Sequence, residues 1–156
     1  GVPMGGELRG NEAPTFTVLA ARDPSDANLD RVQVVKGWLN DRGEAEEKVY
    51  NVAWSGERQL AADGSLPAVG DTVDRATGEV ENSIGAAELS AVWTDPAFDP
   101  GQSAFYYVRV LQIPTARHSL LDAIALGQEH AADYPDTIQE RAYTSSIWYR
   151  PGPGNR

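Results

Sequence analysis

Residues 102–117, QSAFYYVRVLQIPTAR, and residues 137–151, TIQERAYTSSIWYRP, decide the fold class. In the first, Tyr107, Arg109 and Leu111 alternate with Tyr106, Val108 and Val110, the period of two that a strand imposes on its side chains. The second carries RAYTSSIWY, again dense in aromatic and β-branched residues. Between them SLLDAIALG reads as a short helix over 119–127, with Ser119 as its expected N-cap and Gly127 as its stop. Two strands enclosing one short helix read as the closing pair of a β-sandwich.

Working outward, APTFTVLAAR (13–22) alternates as a strand, and DPSDANLD (23–30) is a turn. RVQVVKGWL and EEKVYNVAWSG flank NDRGE and predict a hairpin. Residues 58–78 are turn-rich and read as a long connection with room for a short edge strand. AAELSAVWTD suits helix by its Ala, Glu and Leu, but its Val-Trp-Thr ending favours a strand. DPAFDPGQ is a double Asp-Pro turn. The expected fold is mainly β: an antiparallel β-sandwich, with the immunoglobulin-like arrangement among those that fit about seven strands. Residues 1–12 are expected to be an arm or a linker from an upstream domain. Residues 13–150 should form the sandwich, and 151–156 a disordered tail. Gly1 reads as a cut end.

The bulk properties bound the function. The chain has 156 residues, 13 basic against 23 acidic, and a formal net charge of −10. A nucleic-acid partner requires a basic face, and an anionic membrane surface attracts the same kind of face, so neither is expected. No apolar run approaches the roughly 20 residues of a membrane-spanning helix. The chain has no cysteine, which removes disulfides, thiolate chemistry and cysteine metal sites.

The candidate sites have ordinary readings beside functional ones. His118 and His130 form neither HxH nor HExxH, and they read as surface or helix-end histidines. The Asp23–Asp30 stretch lacks the glycine and glutamate of an EF-hand loop. A turn is favoured there over a β-sandwich calcium site. No serine lies in a GxSxG elbow. Trp38, Trp54, Trp93, Trp148 and the tyrosines could form a sugar-stacking platform, but a core role is favoured, with one or two at an interface. Arg109, Arg117, Arg141 and Arg150 could grip a carboxylate or phosphate through paired N–H groups. Ion pairing with a neighbour such as Glu140 is the competing reading.

GVPMGGEL, RVQVVKGW, KVYNVAWSGER, LPAVGDTVD, the run from Glu81 to Thr115 and TIQERAYTSSIWY together resemble the C-terminal region of the bacterial family called domain of unknown function 3604. The YYVRV strand followed by a SSIWY strand is also similar to an ending found in metallohydrolases of the polymerase-and-histidinol-phosphatase (PHP) type. There this chain differs by Ser146 and Tyr143. The resemblance implies a larger, often exported protein, periplasmic or secreted. Its upstream catalytic domain would bind a divalent metal and hydrolyse phosphoesters. None of that domain's metal motifs falls within these residues. The implied role is a non-catalytic domain that packs on its upstream partner and walls its cleft through Thr115–His118 and Asp95–Gln102. Candidate binding residues are therefore Arg109, Arg117, His118 and Arg141, with no catalytic or metal-ligating residue and no cofactor in this part. The competing readings are a sandwich that binds a sugar or small anion, and a weakly hydrolytic domain.

Overall fold

The structure is a computed structural model that describes residues 1–152. Ten strands and one helix follow each other in the order β1 (Glu7–Arg9), β2 (Thr15–Ala21), β3 (Leu29–Leu39), β4 (Ala45–Trp54), β5 (Glu88–Thr94), β6 (Ala104–Gln112), β7 (Thr115–Ala116), α1 (His118–Leu126), β8 (Thr137–Ile138), β9 (Arg141–Tyr143) and β10 (Ile147–Arg150). The large sheet runs β1-β10-β6-β3-β4, with β9 also paired to β6. A two-stranded sheet, β2-β5, covers one face of it. The β1–β10 pair is parallel, and the other pairs in these two sheets are antiparallel. The chain is mainly β, a sandwich with unequal layers and one short helix, as its alternation implies.

The core lies between the layers. Phe16 of β2 packs with Val34, Ala104, Tyr106 and Tyr149, and Leu89 of β5 packs with Leu29 and Val32. Leu29 and Val32 are three apart, so strict alternation would place them on opposite faces. A bulge between Leu29 and Arg31 resets the phase and lets both face the core. A second irregularity, between Val32 and Gln33 against β4, brings Val52 and Ala53 both to that core.

One inward position is a lysine. Lys36 is buried, and its Nζ donates to Asp95 Oδ2 at 2.7 Å and to the Ala97 carbonyl at 2.7 Å. Tyr106 OH donates to the same Asp95 oxygen at 2.8 Å, and the Ala97 N–H donates to Oδ1 at 2.9 Å. The ammonium also sits over the rings of Trp38 and Tyr106. The ammonium thus has two hydrogen bonds and two ring faces and the carboxylate three donors, which is the condition for burying charge. Burial, and then the Asp95 carboxylate, push the Tyr106 phenol well above its ordinary 10.0.

Residues 55–87 form the long connection. They contain no strand, only two isolated bridges, one between Val73 and Val80 and one from Ala86 to Leu29. A buried carboxylate anchors the connection. Asp30 accepts from Arg58 Nη2 at 2.7 Å, Arg31 Nε at 2.8 Å and Gln139 Nε2 at 2.9 Å. The same two arginines donate to the carbonyls of Leu66 and Pro67. Further on, Arg75 bonds both Asp71 and Asp136, and α1 rests on the 73–80 turn through Leu121 and Ile124 at Gly78.

Three details differ from the sequence reading. Glu7–Arg9, within the expected arm, is a strand of the large sheet. Arg117, not Ser119, caps α1, without a side-chain bond, and Ser119 Oγ instead pairs with His130 at 2.9 Å. The final strand region is three short strands rather than one, because Thr144 Oγ1 accepts the Val108 N–H where β9 gives way to β10. Of the expected tail, residues 153–156 lie outside the described residues.

Replacing Lys36 by Met leaves the Asp95 charge buried and uncompensated. The expected loss is about 3–5 kcal/mol in urea denaturation, and the double variant Lys36→Met/Asp95→Asn should lose less than the two single variants added. Tyr106 contributes stability that is complete below pH 10 and is lost as pH rises above 10, since its folded phenol resists ionisation. Ultraviolet titration should find a phenol in wild type that ionises only with unfolding, and Tyr106→Phe should remove it. Arg75 holds both Asp71 and Asp136 below their ordinary 3.8, so their contribution is present above that value and fades as pH falls beneath it. In Arg75→Ala, carboxyl NMR titration should find both moved back up toward 3.8.

Candidate functional site

The two outward faces of the sandwich differ in chemistry. On β2-β5 the outward residues include Thr15, Thr17, Leu19, Ser90, Val92 and Thr94, mostly small, with a Thr15–Thr94 hydroxyl bond. A row of four aromatic rings runs along the outward face of the large sheet. Trp148 of β10 lies opposite Phe105, and Tyr143 of β9 lies opposite Arg109. The rings run Trp148–Phe105 at 5.4 Å, Phe105–Tyr107 at 6.4 Å and Tyr107–Tyr143 at 6.1 Å between centroids. Trp148 remains 50% exposed and Tyr143 55%.

Gly37 sets the position of Phe105. A Cβ at Gly37 would stand 2.2 Å from Phe105 Cζ, so the ring occupies the space of the missing side chain. Beside it a groove of about 550 Å³ opens at the β3–β4 hairpin end, lined by Leu39, Ala45, Glu47, Phe105 and Trp148 among others. Leu39 is 60% exposed there.

At the opposite end of β6 the face turns polar. Arg109 Nε donates to Gln33 Oε1 at 2.8 Å, Gln33 Nε2 to Asn51 Oδ1 at 2.8 Å, and Asn51 Nδ2 to the Gly64 carbonyl at 3.0 Å. Arg141, opposite Leu111, shares this face by alternation. Among the described residues Arg141 has no hydrogen bond or ion pair. Glu140, its neighbour in sequence, does not pair with it.

Of the candidate binding residues, the structure thus brings Arg109 and Arg141 together. Arg117 and His118 stand apart from them at the start of α1. The Arg117 guanidinium lies 5.6 Å from the Tyr134 ring centroid, and His118 is exposed. Thr115–His118 is not a free loop but β7 and the first residue of α1. The Asp95–Gln102 turn is held into the core by Asp95, the Ala97 carbonyl and Phe98, whose ring packs edge-on against Tyr149. The Asp23 stretch is a turn closed by Asp23 Oδ1 on the Ser25 N–H. Among the described residues no three of His, Cys, Asp and Glu converge to hold a metal ion.

Sequence reading alone did not single out the ring row or Gly37. The signal was present: Phe105 and Tyr107 share the phase of Arg109, and a glycine inside a strand pattern marks a close approach.

The chain belongs to the family described as protein of unknown function DUF3604, whose family model matches residues 1–151. No curated protein and no solved structure matches the chain.

Gly37→Ala must displace the Phe105 ring. Its expected cost is about 1–3 kcal/mol, the range for overpacking a filled site, with a changed near-ultraviolet circular dichroism band from the Phe105–Trp148 contact. Adding Phe105→Ala to Gly37→Ala should cost less than the sum of the two single changes.

Proposed function

We propose that this domain is a non-catalytic accessory unit of a larger metal-dependent hydrolase of PHP type. In this reading its large-sheet face docks on the catalytic domain. The observation that carries it is the groove at the β3–β4 end, where Leu39, Phe105 and Trp148 expose apolar surface that a soluble domain ordinarily covers. The rim favours the same occupant. Glu46 and Glu47 line the groove and suit a basic partner surface, with a central aromatic anchor and charged edges. The buried Lys36–Asp95 and Asp30–Arg58 pairs give the domain a rigid frame for presenting that face. Any metal and the bond cleavage would reside in the partner domain. The residues described here do not form a fitting ligand set.

The test uses the full reading frame of the gene. Leu39→Glu/Trp148→Ala should loosen the domain from its partner, read as faster limited proteolysis of the connection, while the isolated domain keeps its melting temperature within a few degrees. A frame that encodes nothing upstream of this domain overturns the proposal. So does a full-length double variant that is cut no faster than wild type.

A further inference from the structure

We infer that Arg109 and Arg141 form an anion subsite, and that it takes a sugar ring bearing a carboxylate or a phosphate. In a chain with ten more acidic than basic residues, a cation ordinarily finds a carboxylate. Arg9, Arg31, Lys36, Arg42, Arg58, Arg75 and Arg150 all do. Among the described residues Arg22, Lys48, Arg109, Arg117 and Arg141 do not, and of these Arg109 and Arg141 share one sheet face as diagonal neighbours across β6 and β9. At such positions Cβ atoms lie roughly 7–8 Å apart, so two long side chains can converge on one ligand while repelling each other without it.

Arg109 is oriented in advance. Its Nε is fixed by the chain Gln33–Asn51–Gly64 carbonyl, and its two terminal nitrogens have no partner among the described residues. A planar guanidinium with both outer N–H groups free can bind a carboxylate or phosphate through paired bonds. Arg141 supplies the second charge from the neighbouring strand. Tyr143 neighbours both, directly opposite Arg109 and two residues along β9 from Arg141. It is more than half exposed, and it offers a stacking face and a hydroxyl to the body of a sugar. The subsite lies at the far end of β6 from the Leu39–Trp148 groove, so it does not depend on the docking reading.

The experiment is a titration of this chain with glucuronate, glucose 6-phosphate, glucose, inorganic phosphate and a short acidic peptide. Binding is followed by amide and arginine Nε NMR shifts. The expected result is saturable binding of one or both anionic sugars, with shifts at Arg109, Arg141 and Tyr143. Glucose should not bind, and inorganic phosphate should bind more weakly than the preferred sugar. Glucuronate against glucose 6-phosphate tells carboxylate from phosphate. Arg141→Gln, an exposed change that leaves the fold intact, should weaken binding at least tenfold, and Tyr143→Ala should weaken the sugar more than it weakens phosphate. No saturable binding of either anionic sugar overturns the inference. Binding unchanged in Arg141→Gln, or preference for the acidic peptide over both sugars, also overturns it.

Discussion

The bond between Lys36 and Asp95 is the constraint around which the sandwich is arranged. An ammonium facing the interior of a sheet is tolerable only where a carboxylate meets it and both exhaust their hydrogen-bonding capacity. Asp95 follows the end of β5, Lys36 lies in the middle of β3, and Tyr106 lies on β6. Their junction therefore fixes where the small sheet sits over the large one. Phe16 and Trp93 then stack on each other, with Phe16 against Tyr106, because the layer that carries them has one permitted position. The Asp30 cluster does the same at the other end of β3, holding the long 55–87 connection to the sheet.

Fixing the small sheet on one face leaves the other face of the large sheet to its own side chains and to residues 58–67 of the long connection, which bond to its β3–β4 part. That face is divided along β6. The Phe105 end is apolar, made so by Gly37 and the groove beside Trp148, while the Arg109 end holds two guanidinium groups that no carboxylate among the described residues neutralises. Neither end contributes to the two core clusters between the layers. Side chains that the fold does not use and that cost solubility or self-repulsion are where function is best sought. The β2-β5 face exposes Leu19 and Val92 among its Thr and Ser residues, but it carries no aromatic row and no pair of guanidinium groups.

Much of the fold was legible in the sequence because period-two alternation is a local property. FYYVRVLQI announced both its strand and which residues share a face, and VWT resolved the ambiguous AAELSAVWTD segment correctly. What alternation cannot show is pairing across distance. Nothing in the alternation of β3 pairs Lys36 with Asp95, 59 positions away. Arg109 and Arg141 became neighbours through the β6–β9 register. Arg117, closer to Arg109 in sequence, was carried off by the turn at Pro114 and the start of α1. The expected N-cap failed for a related reason: Ser119 found a better partner in His130 than in the backbone of its own helix.

On the proposed function the large-sheet face, and not the β2-β5 face, is the working surface of the domain. Hydroxyl-radical footprinting tests it directly, by comparing the isolated domain with the full-length protein in a single experiment. Leu39, Phe105 and Trp148 should become strongly protected in the full-length protein while Leu19 and Val92 react as before. Protection of Leu19 and Val92 with Trp148 left fully reactive would contradict it.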